Sequence, residues 1–333
     1  MDLLLEDLLE TFSTSGNEEL LRNVIVKELD KLSVKYREDK MGNLIVDICD
    51  NFYTKNTIDK KEKVMICAHM DNIGFIVTGI DDKGLIKVAS IGEFDLSKVV
   101  NNYVSFKNGT IGKLYSNKKD PKDEDLFIDL ALDSKKEVEG LIKEGDVAVI
   151  KPSIIENNNN ILSSGLNNKI GCFILFQIIK MIKNKEIKNL DKNNEFYFVF
   201  STENILGGRG ARAAANIIAP DYAIVLDMEE AKECGDSIYL GRGPAIKILD
   251  KTLIINREVK EKLDKVFERI SLKPQYIVNN HGGDGGFIHK EGNGTKTGAL
   301  GIPCRYINTS SEIVNKSDIE NTKNIIIEIL KEF

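Results

Sequence analysis

The residues equipped for chemistry are few, and they sit where apolar runs end. His69-Met-Asp71 closes the run Val64 to Ala68, and open α/β sheets present their ligand sites at such carboxyl ends. A carboxylate two residues after a His fixes the ring tautomer and strengthens it as a metal ligand. A lone His-x-Asp is also a common hydrogen-bonded strand end, and taken alone the pair reads that way. Asp227 ends a second apolar run, Tyr222 to Leu226, ahead of Met228-Glu-Glu230. Glu203 lies just past a third, Phe196 to Ser201, before Gly207-Gly-Arg-Gly210, which reads as a turn opening a helix rather than an anion-binding nest. In His281-Gly-Gly-Asp-Gly-Gly286 a His and an Asp share a loop whose glycines let backbone pass close to a ligand. Arg305-Tyr306 and Glu312 read as surface or salt-bridge residues. Glu229 and Glu230 raise a glycosidase reading, but neighbours on a strand point to opposite sides, whereas a retaining or inverting pair faces across about 5–9.5 Å.

The elements that must position these groups follow from periodicity. Asp2 to Phe12 and Asn17 to Leu32 carry apolar residues at helical spacing, separated by Ser13-Thr-Ser-Gly16. Asn43 to Ile48 and Val64 to Ala68 are β-branched runs that predict strands, with the lysine-rich Lys55 to Lys63 as a solvated connection. From Ile73 to about Ile155 the texture becomes short strands with turns at Asp81 to Gly84 and Lys107 to Gly109, and one helix near Ser134 to Ile142, which predicts a small, mostly β insert. Glu156-Asn-Asn-Asn-Asn160 reads as an exposed turn on the return. Long helical stretches then alternate with strands (Asn168 to Lys183, Val259 to Ile270, Ser317 to Lys331), the pattern of an α/β layer architecture.

Composition excludes several classes. At 333 residues the chain exceeds one ordinary core and suits two domains. With 42% hydrophobic and 29% charged residues it is not a disordered chain. Lys and Arg number 46 against 52 Asp and Glu, a net charge of −6, which disfavours a nucleic-acid footprint. No apolar run approaches the ~20 residues of a bilayer span, so no membrane association is expected. The opening Met-Asp-Leu-Leu-Leu-Glu lacks the positive region of a signal peptide, and the five cysteines (Cys49, Cys67, Cys172, Cys234, Cys304) are odd in number and scattered. A cytoplasmic protein with reduced core thiols is expected.

Taken together, these segments resemble the glutamyl and deblocking aminopeptidase family. The resemblance runs through Ser15-Gly-Asn-Glu18, Asp39-Lys-Met-Gly-Asn43, Ala68-His-Met-Asp-Asn-Ile-Gly-Phe75, Asp125-Leu-Phe-Ile-Asp129, Arg209-Gly-Ala211, Asp221 to Asp227, Gly241-Arg-Gly-Pro244 and Arg305-Tyr-Ile307. It implies an α/β metallo-aminopeptidase-like domain, a central mixed sheet flanked by helices, over residues 1–70 and 162–333. A small β-barrel or PDZ-like domain is inserted over residues 71–161. It further implies zinc- or cobalt-dependent cleavage of N-terminal residues from peptides, and assembly into tetrahedral dodecamers. The insert is short between Ser116 and Asp125, so the expected homo-oligomer ranges from a dimer to a dodecamer.

The resemblance also assigns a site, and there this chain departs from the pattern. His69 and Asp227 match ligands of the first metal, and Asp71 matches the supporting carboxylate. The carboxylate that bridges two metals falls on Asn167, within Leu166-Asn-Asn-Lys-Ile-Gly171. The family's Glu-Glu pair, general base and then second-metal ligand, falls on Asn204 and Ile205 without a gap, or on Glu203 and Asn204 with a one-residue insertion. The last His ligand is Asn308, and the Thr expected before Asp284 is Gly283. These losses predict no dinuclear site, at most one weakly held zinc or cobalt ion at His69 and Asp227, and a non-catalytic protein that binds peptides in its cleft or serves as a scaffold. The competing expectation is an active single-metal aminopeptidase with Glu203 as base and His281 or Glu229 recruited as further ligands.

Overall fold

The structure, a computed structural model, describes residues 1–48, 62–188, 190, 194–232 and 238–333. Most of the expected Lys55 to Lys63 connection, Cys49 and Cys234 lie outside the described residues. Two sheets organise the described residues. One is an 11-stranded mixed sheet and the other a closed barrel of six strands.

The centre of the large sheet is parallel. Lys63–His69 lies between Glu195–Ser201 and Tyr222–Glu230, and the last of these pairs with Lys296–Arg305. These strands are buried almost end to end, as parallel strands covered on both faces must be. Alternate residues of one strand enter different cores: Val64, Ile66 and Ala68 face the helices Glu19–Lys31, Leu166–Lys183, Arg257–Arg269 and Lys316–Glu332, whereas Met65 and Cys67 face Arg209–Ile218. Shared direction brings the ends of the parallel strands to one edge, and the register sets Ser201 beside His69. The helices begin where a side chain serves the first free N–H groups: Asp2 accepts from Leu4, and Asn315 accepts from Ser317, each at 2.9 Å.

The barrel strands run from Gly74 to Ile150 around Phe75, Val88, Val104, Leu114 and Ile128. Their in-out alternation, exposed then buried along Ile111–Tyr115, is what closure around a single core demands. The barrel is stitched to the large sheet by three consecutive residues. Ser13 Oγ donates to Met70 O at 2.6 Å, Thr14 Oγ1 to Asn72 O at 2.9 Å, and Ser15 Oγ to the Asp71 carboxylate. Gly74 is required at the junction, since a Cβ there would lie 2.5 Å from Thr14 Oγ1. The strands Ile155–Asn157 and Asn160–Ser163 already belong to the large sheet, so sheet membership changes within residues 151–154, next to the change of texture at about Ile155 and ahead of the boundary at 161 given with the resemblance. The apolar content of Ile161 and Leu162 is consistent with either neighbour, and only the pairing partner, Glu312–Asn315, decides.

The loop Gly241-Arg-Gly-Pro244 is held to the start of the last helix by Asp318, which accepts the Gly241 and Gly243 N–H groups at 2.7 Å each. Burial pushes the Asp318 carboxyl up to about 6, against those two donors. A carboxyl raised in the fold contributes most below its unfolded value, and that contribution is lost as pH rises through about 6. Asp318→Asn, which keeps one acceptor oxygen, is expected to cost about 1–2 kcal/mol. It is also expected to flatten the fall in unfolding free energy between about pH 4 and 6, as read by urea denaturation across that range.

Candidate functional site

Three of the groups picked out at strand ends meet. His69 is 1% exposed and lies between two carboxylates. Its Nδ1 is 3.3 Å from Asp71 Oδ1 and 3.0 Å from the Asp71 carbonyl oxygen, and its Nε2 is 3.5 Å from Asp227 Oδ1. Burial disfavours the imidazolium, but the carboxylates on both ring nitrogens outweigh it and hold His69 well above the ordinary histidine value. Burial likewise opposes the charges on Asp71 and Asp227, and His69 more than compensates, leaving both below the usual carboxylate range. His69 Nε2 and Asn167 Oδ1 are buried without a hydrogen-bond partner.

Asp71 does more than orient His69. It accepts the Asn204 N–H through Oδ1 and the Ile205 N–H through Oδ2, each at 2.9 Å. The two preceding N–H groups are also taken by side chains, Thr202 by Asn43 Oδ1 and Glu203 by Glu18 Oε1, at 2.9 Å each. Four successive amides are therefore fixed by acceptors from the first 71 residues, with Glu203 at φ +51. Burial and the nearby Asp71 charge push the Glu18 carboxyl up to about 7. This clamp decides where the neighbouring side chains go. Glu203 reaches outward to Arg209 at 3.2 Å, Asn204 Nδ2 donates to Asp284 Oδ1 at 2.6 Å, and Ile205 packs on Gly92 of the barrel. The Gly207-Gly-Arg-Gly210 turn opens the helix Arg209–Ile218, and its N–H groups are spent on Glu203, Asn204 and Thr202 carbonyls, leaving no nest for an anion.

Asn167 and Asn308 meet each other. Asn167 Nδ2 lies 3.4 Å from Asn308 Oδ1, and the buried Glu312 holds both backbones, accepting Asn308 N–H at 2.7 Å and Asn167 N–H at 3.2 Å. Glu312 is 2% exposed and is pushed up to about 7 by burial, which corrects its reading as a surface residue. Its polar neighbours in sequence suggested solvent, but its surroundings come from residues some 145 positions away. His281 is exposed, and its backbone N–H donates to Asn279 Oδ1 at 3.1 Å. Asp284 of the same loop is fully buried, accepts from Ser201 Oγ at 2.9 Å, and is raised to about 6 by burial. Glu229 turns to Lys247 and Asn279, and Glu230 accepts the Tyr306 and Ile307 N–H groups, so the two glutamates face different partners. Ser15, Glu18, Asn43, Lys247 and Asn279 were not singled out from the sequence as site groups. In Lys247 the signal was a charge inside the apolar strand Ala245–Leu249.

The donor set does not fit two metal ions. Among the described residues no group of three or more His, Cys, Asp or Glu side chains is placed to hold a metal. His69 and Asp227 meet, but the remaining positions present Asn167, Asn204, Ile205 and Asn308. Neutral amide oxygens neither carry the negative charge that offsets the repulsion between two close cations nor rank with His and carboxylate as zinc ligands.

Comparison with known proteins places this geometry. Residues 50–325 match the family described as M42 glutamyl aminopeptidase. A putative aminopeptidase of Acetivibrio thermocellus is 34% identical, over 97% of this chain and 98% of its own length. The lysyl aminopeptidase of Pyrococcus furiosus is 25% identical over 99% and 96%. Among solved structures, the Pyrococcus horikoshii TET1 peptidase, which can assemble into a tetrahedron or a large octahedral shell, superposes with a TM-score of 0.86 at 27% identity, covering 99% of both chains. An aminopeptidase of Desulfurococcus kamchatkensis superposes with a TM-score of 0.89 at 26% identity, covering 99% of this chain and 94% of its own. With its barrel inserted after the His69 strand and its His69, Asp71 and Asp227 cluster at the carboxyl edge of the parallel strands, the chain belongs to the M42 glutamyl aminopeptidase family.

Proposed function

We propose that this chain is a member of its family in which the two-metal aminopeptidase reaction is lost and the cleft is kept for holding peptides or as a scaffold, within a homo-oligomer. The observation that carries this reading is the contact between Asn167 and Asn308. Two positions expected to carry metal ligands turn Asn167 Nδ2 and Asn308 Oδ1 to each other, and neither side chain brings a charge. Two divalent cations ~3.5 Å apart repel by roughly 19 kcal/mol at an effective dielectric of 20, so they coexist only where anions offset that repulsion. Of the positions aligned with metal-ligating carboxylates, Asp227 alone, already facing His69, offers such a charge. The oligomer is supported by likeness to shell-forming peptidases. The free, buried Cys67, Cys172 and Cys304 suit a reducing, cytoplasmic compartment.

A second reading, one weakly held zinc or cobalt ion at His69 and Asp227 with Glu203 as base, is favoured by one observation. His69 Nε2 and Asn167 Oδ1 are buried without partners, as ligand atoms facing a cation would be. Against it, Glu203 is engaged with Arg209 at the rim. Zinc bound there would act as a Lewis acid on a peptide carbonyl, and the chain's own part would be to hold it through His69, oriented in turn by Asp71.

Elemental analysis of the purified protein, with hydrolysis of a panel of aminoacyl chromogenic substrates in added zinc or cobalt, separates the readings. The first expects less than one ion per chain and no turnover above buffer. Two ions per chain, or turnover at ordinary enzyme rates, contradicts it. Turnover with one ion, abolished in Glu203→Gln, establishes the second reading.

In both readings Asp71 acts as a positioning residue, through His69, Ser15 and the Asn204 and Ile205 amides. Asp71→Ala takes the acceptor from Ser15 Oγ and from the Asn204 and Ile205 amides, leaves His69 Nδ1 only the residue-71 carbonyl oxygen, and is expected to lose about 3–5 kcal/mol in chemical denaturation. A loss under about 1 kcal/mol would refute this role.

A further inference from the structure

Away from the His69 cluster, the large sheet carries a cavity of about 300 Å³. Lys63 lines it and opens the strand that ends at His69, so the cavity lies about 20 Å back along that strand. Its floor follows from register. Tyr197 stands opposite Asp47, and Ile45 stands opposite Arg37 on one side and Val199 on the other. Directly paired residues point to one face of a sheet, as do residues two apart on a strand. Tyr197, Ile45, Arg37 and Asp47 therefore share the face on which the helix Arg209–Ile218 packs. The last turn of that helix adds Ile217, which is exposed, and Ile218.

The charge on this cavity is uneven. Lys35, Arg37 and Lys63 line it against one acid, Asp47. Other acids close by in the chain have partners: Glu38 pairs with Arg22 at 3.2 Å, Asp221 accepts the Lys63 N–H at 2.9 Å, and Glu195 accepts the Tyr197 hydroxyl at 2.9 Å. Burial and Glu195 hold that hydroxyl protonated, so the floor stays neutral. Lys63 Nζ donates to Ile218 O at 3.0 Å, one of its three possible bonds. Arg37 is exposed and is in no ion pair among the described residues. An apolar floor with a few polar groups at its rim is the form that small-molecule sites take, and about 300 Å³ is the small end of their range.

We propose that this cavity binds a small organic carboxylate, whose apolar or aromatic body lies on Tyr197, Ile45 and Ile217 and whose charge is met by Arg37. The planar guanidinium fork matches both carboxylate oxygens, and Lys35 and Lys63 add to the attraction. An inorganic anion would leave the apolar floor unused, and a neutral ring would leave the cations unused. The site is separate from the cleft and stands whichever reading of the cleft holds.

The test titrates the full chain with 3-phenylpropionate by isothermal titration calorimetry. One molecule per chain is expected to bind, with a Kd of about 1 mM or tighter. Its amide, which keeps the ring and loses the charge, and inorganic phosphate, which keeps charge and loses the ring, are each expected to bind at least roughly tenfold more weakly. Arg37 and Ile217 are both exposed, so Arg37→Gln and Ile217→Glu are expected to fold as the native chain does, read by circular dichroism. Each is expected to lose at least roughly tenfold in affinity for 3-phenylpropionate. Absence of saturable binding, full affinity retained in either variant, or equal binding of the amide overturns the inference, and none of these outcomes bears on the silent-cleft reading.

Discussion

The structure depends on how negative charge is neutralised at the carboxyl edge of the parallel strands. Parallel strands sharing one direction bring Asp71, Asp227 and Glu229 to that edge, and Asp284 and Glu312 close over it from adjoining segments. Several carboxylates withdrawn from water repel one another and lose hydration, so each needs a donor or cation at hand. This chain answers with protein groups. His69 lies between Asp71 and Asp227, Lys247 opposes Glu229 and Asp250, and backbone amides serve Glu312 and Glu18. Asn167, Asn204 and Asn308 bring no charge to the edge, which suits a cleft whose cations are its own side chains.

Neutralisation by fixed groups also sets local shape. Asp71, Glu18 and Asn43 capture four successive amides from Thr202 to Ile205, which fixes the backbone after the strand Glu195–Ser201. Glu230 does the same for Tyr306 and Ile307, and Glu312 for Asn308. The loops around the site are tied to carboxylates, the buried Asp71, Glu18 and Glu312 and the exposed Glu230. A change at one of these carboxylates therefore propagates through backbone rather than through side-chain packing, and the cleft behaves as one connected polar network.

How much of this was legible in the sequence depends on whether the signal was local. The α/β class followed from apolar runs such as Phe196 to Ser201 alternating with helical spacing, and His69 and Asp227 stood out because each ends such a run. The inserted barrel and its end near Ile155 were visible as a change of texture, but which strand Asn160–Ser163 pairs with was not, because only tertiary contact brings it to Glu312–Asn315. Glu312 was read as a surface residue and Lys247 passed unnoticed for the same reason. Their partners, Asn167 and Asn308 for one and Glu229 for the other, are supplied by tertiary contact. Local pattern carries the elements and the strand-end residues, whereas the pairing of buried charges is a property of the assembled fold.

The central claim is that protein groups, not a pair of metal ions, neutralise this edge. Anomalous diffraction at the zinc edge, from crystals grown with excess zinc, tests it most directly. The account predicts no pair of peaks among His69, Asn167, Asp227 and Asn308. Two full-occupancy peaks there, about 3.5–4 Å apart as in two-metal sites, would contradict it.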